Sequence, residues 1–332
     1  PAAPRDRQGG SRYWRAADVL EFTSHGYDGY VFDEAGNKLD FKGYRPDCIN
    51  DYALEYLESG REPGKPFFLF ISQLEPHHQN DHGRYEGYRE TVENYRDYPI
   101  PEDLSFLKGD YREQYPDYIS AINRLDYNVG RLVAKLKELG IYEDTVIIYT
   151  SDHGSHFKTR NLEYKRSCHE ASIHTPLIIR GGAFQGGKCE ERLVSLLDLP
   201  PTMLSLAGIP IPGSYVGHDL TPMMTSDRPN RDCVFIQISE SQCGRAVRTP
   251  RYTYSVRARG GMGTGMIKSA SNVYYEDFLY DLKEDPCEKH NLVKSHAHRE
   301  VRRQLREMLL REMEKAGEPE PVIRKPLLAR KK

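Results

Sequence analysis

Four side chains have types and spacings that could do chemistry. Asp152 and His153 stand together in Thr150-Ser151-Asp152-His153-Gly154. A carboxylate beside an imidazole could bind a cation, the oxygens suiting a hard ion such as Ca²⁺ and the nitrogen a softer one. Such a pair could equally cap a turn and satisfy a loop. His77, directly after Pro76 and before His78, could donate to an oxyanion or act as a general acid, although paired histidines are also ordinary polar surface. Lys165 could place a point charge on an anionic oxygen, or be one of 47 basic residues with no special task. Cys168 lies nearby, but a thiol nucleophile needs an activating base and the spacing offers none.

The elements expected to position these groups are two apolar runs. Thr145–Thr150 is β-branched and unbroken, the pattern of a strand buried on both faces, and Pro176–Ile179 closes the stretch on a second run. Between them lie Lys165, Arg166, His169, Glu170 and His174. Lys65–Gln73 (KPFFLFISQ) reads as another buried strand and delivers His77 and His78 past its carboxyl end. In open α/β sheets ligands collect at such ends.

Around these runs the periodicity predicts a hairpin in Tyr27–Lys42, turning at Glu34–Asn37, and a helix capped by Asp47 and running to Glu58. Residues 1–15 read as a disordered start. Residues 79–116 form a long polar connection expected to lie over the site. Asp117–Gly140 is the clearest helix, with apolar residues from Ile119 to Leu139 at steps of three and four. Leu193–Ala207 reads as a helix entered through Pro200-Pro201. Prolines and glycines then crowd 208–229, which places a subdomain boundary at 215/216. Beyond it, Cys233–Ile238, Ala246–Thr249, Tyr252–Val256 and Asp277–Leu282 read as an antiparallel sheet, and Arg299–Lys315 as an amphipathic helix. Gly260–Gly265 is a flexible loop without the Lys-Ser/Thr pair of a phosphate loop.

Composition narrows the function. Lys and Arg total 47 against 49 Asp and Glu, a net charge of −2, which excludes nucleic-acid binding through a general basic field. The basic run from Arg324 to Lys332 reads as a solvated tail. No segment is long and apolar enough to span a membrane, so no membrane partner is expected. Six cysteines without CxxC or zinc spacing read as reduced thiols, which points to a reducing, cytoplasmic interior.

Four motifs together resemble the type I sulfatases, the arylsulfatase-like branch of the alkaline phosphatase superfamily. They are KPFFLFISQLEPH, NVGRLVAKLKELGIYEDTVIIYTSDHG, YKRSCHEASIHTPLIIRG and FLYDLKEDPCEKHNL. The resemblance implies an α/β fold, an alkaline-phosphatase-like sandwich with a mixed sheet flanked by helices, plus a smaller C-terminal antiparallel sheet and helix. It implies a partial sulfatase domain over 1–215 and an α+β subdomain over 216–332. It implies hydrolysis of a sulfate ester on a sulfated carbohydrate or an aryl sulfate. Asp152 and His153 would be ligands of one Ca²⁺, His77 would contact the sulfate and protonate the leaving oxygen, and Lys165 would hold a sulfate oxygen.

The family's nucleophile is a formylglycine made within Cys/Ser-x-Pro-x-Arg, and no such motif occurs in this chain. The resemblance therefore covers roughly the last two-thirds of a sulfatase. The nucleophile is expected upstream, and the chain by itself is expected to be inactive. A phosphomonoester or phosphonate hydrolase of the same superfamily, or a non-catalytic sulfated-glycan-binding remnant, would share much of the pattern. The abundance of tyrosine, 23 residues, and the long 79–116 segment favour a sulfated sugar.

Overall fold

A computed structural model describes residues 2–260 and 268–326. Contacts group the chain into two units, Pro1–Ile100 with Tyr111–Thr145, and Pro101–Asp110 with Val146–Lys332. The 215/216 boundary falls inside the second. In chain order the elements are α1 (Leu20–Thr23), β1 (Asp28–Phe32), β2 (Lys38–Lys42), α2 (Arg45–Glu55), α3 (Glu102–Ser105), α4 (Tyr111–Glu138) and β3 (Ile147–Thr150). They continue with α5 (Glu170–Ile173), β4 (Leu177–Arg180), α6 (Leu199–Leu206), β5 (Val234–Ile238), β6 (Gly244–Arg248), β7 (Tyr252–Ala258), β8 (Val273–Asp281), α7 (Arg299–Lys315) and β9 (Val322–Arg324).

In the first unit, β1 and β2 form the expected hairpin, with Asp28 opposite Lys42 and Phe32 opposite Lys38. Asp33 holds its turn by accepting from the backbone N–H of Ala35 and Asn37. α2 starts at Arg45, two residues before the expected cap. Asp47 therefore caps nothing; its carboxylate takes two bonds from Arg124 and one from Asn128, both on α4. α4 begins six residues ahead of the sequence expectation and carries Pro116 inside its first turns. As the sixth residue, Pro116 lacks the N–H that would bond the Arg112 carbonyl, yet the helix continues through it to Glu138. Residues 2–15 include a 3₁₀ turn at Arg5–Arg7, and Ala16 bridges Phe32, so this start is not structureless.

The largest departure from expectation is Lys65–Gln73. It forms no strand, and Phe68 and Phe70 are 71% and 78% exposed. An apolar run becomes a buried strand only when a neighbour supplies ladder partners and a covering face, and among the described residues none does.

In the second unit, β3 and β4 pair antiparallel, Ile147 opposite Arg180 and Thr150 opposite Leu177. Thr145–Arg180 is thus a hairpin with a long loop. β3 is half-buried along its length, where burial on both faces was expected, and Ile178 of its partner β4 is 62% exposed. A two-stranded ladder cannot enclose its own apolar faces.

The C-terminal sheet is more complete. β5 to β8 are antiparallel neighbours in order, and β9 joins β8 in parallel, so the sheet is mixed. Adjacent residues on a strand face opposite sides. Val247, Tyr254 and Leu279 accordingly pack with Leu305, Leu309 and Met313 of α7, while Ala246 faces away to meet Ile238 and Cys168. The expected helix at Leu193–Ala207 starts later, at Leu196, where Ser195 and Asp198 make a capping box; a 3₁₀ turn, Leu196–Asp198, leads directly into α6. Within the basic tail Arg324 belongs to β9; the rest of that run past 326, and the Gly261–Gly265 part of the glycine loop, lie outside the described residues.

Candidate active site

Cys168 anchors the Thr145–Arg180 loop to the C-terminal sheet. It is 1% exposed against Ile238 and Ala246, and burial pushes its thiol well above the usual range. It is a core residue without nucleophile character. Next to it His169 stands edge-on to Phe278 at 4.8 Å, and its Nε2 lies 3.2 Å from the Tyr280 hydroxyl. Burial holds this imidazole well below its usual pKa, so it is neutral packing inside the unit.

From this anchor the two limbs of the loop are strapped by backbone bonds. Gly154 N–H donates to the Ser172 carbonyl at 2.8 Å, and His156 N–H to that of Tyr164 at 2.7 Å. A Cβ on residue 154 would stand 2.3 Å from the Ala171 carbonyl oxygen, so the limbs approach this closely only because Gly154 has no side chain. The Thr150 hydroxyl closes the base by donating to the Pro176 carbonyl.

Asp152 and His153 sit just past β3, where this strapping begins. The Asp152 side chain is 82% exposed, and its Oδ1 accepts the His153 N–H at 2.9 Å. His153 Nδ1 lies 2.8 Å from the Gly154 carbonyl, which can only accept. Nδ1 therefore carries the hydrogen and Nε2 keeps its lone pair, 3.4 Å from Asp152 Oδ2. Two ligand atoms ~2.4 Å from one ion and ~90° apart, as in a calcium shell, stand ~3.4 Å from each other, so the pair can share a cation. It would fill two positions of a larger ligand set, since Ca²⁺ takes about six to eight oxygens.

Lys165 follows Tyr164, the residue strapped to His156, and its ammonium lies 5.3 Å from the Tyr164 ring centroid. The same loop thus carries the candidate cation ligands on one limb and a half-buried cation on the other. Its neighbour Arg166 is committed elsewhere, in ion pairs with Glu163 and Glu240.

The residues holding this loop were not singled out from the sequence. Glu288 Oε2 accepts the backbone N–H of Glu170 at 3.0 Å, and burial pushes the Glu288 carboxyl up to about 8. Arg160 donates to the Cys287 and Glu288 carbonyls. Glu170 in turn takes a two-pronged bond from Arg248 and pairs with His174. Burial opposes ionisation of Glu170, but His174 and Arg248 prevail and bring its pKa down to about 2. The signal was present in the DPCEKHNL motif. Asp285 in it accepts from the N–H groups of Lys289 and His290, and Asn291 from those of Leu279 and Val293. The motif is a scaffold for the loop.

His77 belongs to the other unit. It follows a cis Glu75–Pro76 bond, and its N–H donates to the Leu74 carbonyl in a tight turn. Arg45, fully buried, fixes that turn through Glu75 Oε1 at 2.8 Å, Gln79 Oε1 at 2.9 Å and Ser24 Oγ at 2.9 Å. Burial pushes the Glu75 carboxyl up, against the pull of Arg45. His78 is buried edge-on to Tyr85 at 5.3 Å.

The sulfatase family model matches residues 5–209, more than half of the chain. The chain belongs to the sulfatase family. A second model, the C-terminal region of N-sulphoglucosamine sulphohydrolase, matches residues 161–315, from inside the Lys165 loop through α7. Among curated relatives, an ulvan-active sulfatase of Formosa agariphila is 26% identical over 311 residues, covering 87% of this chain and 56% of its own length. The chain thus spans little more than half of that sulfatase. A solved structure in complex with its substrate D-glucosamine-2-N,6-O-disulfate superposes with a TM-score of 0.74 at 20% identity, over 94% of this chain and 78% of that one. The phosphonate monoester hydrolase of Agrobacterium radiobacter follows at TM-score 0.58 and 22% identity, over 82% of this chain and 62% of that one. These neighbours share the alkaline-phosphatase-like fold, and sulfatases as a family are metal-dependent.

Proposed function

We propose that this sulfatase chain supplies the cation-binding and sulfate-binding groups for hydrolysis of a sulfate ester on a carbohydrate. The observation that carries the proposal is the strapped loop, which presents an exposed Asp152 carboxylate and a His153 Nε2 with its lone pair free of the backbone. Asp152 and His153 would hold a divalent cation, Ca²⁺ in the reading the resemblance implies. Such an ion polarises the sulfuryl group and orients the attacking oxygen. Lys165 would neutralise charge on a sulfate oxygen, and His77 would contact the sulfate and protonate the leaving oxygen. The attacking oxygen, a formylglycine by resemblance, has no source motif in these 332 residues and would come from polypeptide outside them. The 216–332 segment would serve as the subdomain on which the loop is anchored.

A sulfated sugar is favoured because the structure solved with glucosamine disulfate shares this fold over 94% of this chain. The test is calorimetric titration of that disulfated glucosamine into the chain with Ca²⁺, beside an assay for released sulfate. Expected are binding that Asp152→Asn and Lys165→Ala each weaken, and no sulfate release. Release by the chain alone would refute the absent nucleophile. Preference for a phosphonate monoester over the sulfated sugar would transfer the site to the phosphonate hydrolase reading. Binding without turnover in a longer polypeptide that also carries a formylglycine motif would make it a glycan-binding remnant.

A further inference from the structure

A second cluster of ligating side chains lies in the first unit and takes no part in the reading above. His25, Asp81 and His82 place one ligand atom each within 4.8 Å of the others. His25 Nδ1 lies 2.6 Å from Asp81 Oδ2, and His82 Nε2 lies 3.6 Å from the same oxygen. The imidazoles are stacked, with centroids 5.5 Å apart and planes 13° from parallel. They line an open cleft of about 340 Å³ together with Glu86 and Arg89.

Three features suit a metal better than a surface ion pair. The first is the donor set: two imidazoles with a single carboxylate match Zn²⁺ or a similar first-row ion, whereas calcium favours a set in which oxygens predominate. The second is the outer shell. Glu86, whose side chain is only 9% exposed, holds His82 Nδ1 at 2.6 Å and so turns Nε2 toward Asp81. A carboxylate on the far nitrogen is the usual way a ligating imidazole is oriented and made more basic. A Cβ on Gly26 would stand 2.5 Å from Glu86 Oε2, so a glycine beside His25 leaves room for that carboxylate.

The third is backbone support on both sides. His25 N–H donates to the Asp28 carbonyl, and Gln79 and Arg84 exchange backbone bonds across the turn that carries Asp81 and His82. Ligands of a tetrahedral zinc stand ~3.4 Å apart, so the His82–Asp81 spacing already fits. The shorter His25–Asp81 hydrogen bond opens by ~0.8 Å as an ion takes the hydrogen's place, and the two imidazole nitrogens, within 4.8 Å of each other, settle at the same spacing.

We propose that His25, Asp81 and His82 bind Zn²⁺, with Glu86 positioning His82, and that the ion clips the segment before β1 to the loop that follows His77 and His78. The cleft leaves a fourth position open to water. A ligand that binds only the folded form raises its stability, so zinc also raises the melting temperature.

The test titrates Zn²⁺ into the metal-stripped chain in competition with a chromophoric chelator, and Co²⁺ in parallel for its visible absorption. Expected are a single strong zinc equivalent, a tetrahedral cobalt band, and a zinc-dependent rise in melting temperature. His25→Ala and His82→Ala abolish all three, while Glu86→Gln weakens zinc about tenfold. Asp152→Asn, which removes the separate cation ligand of the Lys165 loop, leaves them unchanged. The cobalt band reads four-coordinate ligation in the unsubstituted protein, so the existence of the site is tested without any variant having to fold. No strong zinc site, or one indifferent to both histidines, or one lost with Asp152→Asn, overturns the proposal. Failure here leaves the sulfate-site reading untouched, because the two share no residue.

Discussion

His77 and His153 both follow an apolar run, yet the two segments are held by different means. The run before His77, Lys65–Gln73, belongs to no ladder among the described residues and exposes Phe68 and Phe70. What fixes the turn is a single buried guanidinium, Arg45, on Glu75, Gln79 and Ser24. The run before His153 is β3, paired with β4, and its loop is strapped by backbone bonds and rooted in the C-terminal sheet through Cys168 and His169. One segment depends on a charge that must stay paired, the other on many small contacts around a packed core. Loss of one partner should therefore be severe in the first and graded in the second.

Arg45→Met is expected to have the largest effect, about 3–5 kcal/mol, because it leaves Glu75 buried without its counter-charge. Urea unfolding should show it, and Glu75→Gln in the same chain should recover part of the loss. If Arg45→Met is neutral, the guanidinium does not hold that turn.

Leu309→Ala tests the packed alternative. Leu309 is 0% exposed between α7 and the sheet, so truncation should cost about 2–5 kcal/mol and lower the melting temperature. A smaller cost than that of an exposed-site change would mean the sheet is not the anchor.

Glu288→Gln separates charge from shape at the loop's root. The Glu288 carboxyl has its pKa raised from 4.5 to about 8 by burial. A raised acid contributes stability below its unfolded pKa and loses it as pH climbs through the folded value. The wild-type chain should thus weaken between about pH 4.5 and 8, and the glutamine variant, which keeps an acceptor for the Glu170 N–H, should remove about 1 kcal/mol or more of that fall. Parallel pH–stability curves for the two proteins would defeat the assignment. Glu170, depressed to about 2 by His174 and Arg248 against burial, acts oppositely: its contribution is lost as pH falls from about 4.5 toward 2.

The smallest effect is expected at Phe70→Ser, within about 0.5 kcal/mol, because the ring is already 78% exposed. A cost of about 3–5 kcal/mol, typical of a buried aromatic, would show that the run is covered in solution.

Local pattern was sufficient for elements that satisfy themselves. The β1–β2 hairpin is stated by its turn residues, α7 by its period, and α4 by Ile119 to Leu139, although Pro116 concealed its first turn. The SDHG and YKRSCHE segments marked the two limbs of the strapped loop by their residue types, although the contacts of Gly154 with Ala171 and of Cys168 with Ile238 and Ala246 are tertiary. Partner-dependent features were not legible. Whether Lys65–Gln73 is a strand depends on neighbours far along the chain, and Asp47 binds Arg124 and Asn128 instead of capping its helix. Glu288 meets Glu170 across 118 residues of sequence, and His25 meets Asp81 across 56. The sequence by itself determined the residue types available for a cation and an anion, and the family they belong to. Which of them share a loop, which are buried and neutral, and which surface histidines converge on one carboxylate were decided by tertiary structure, because burial and proximity set the charge state of each group and neither is a property of neighbours along the chain.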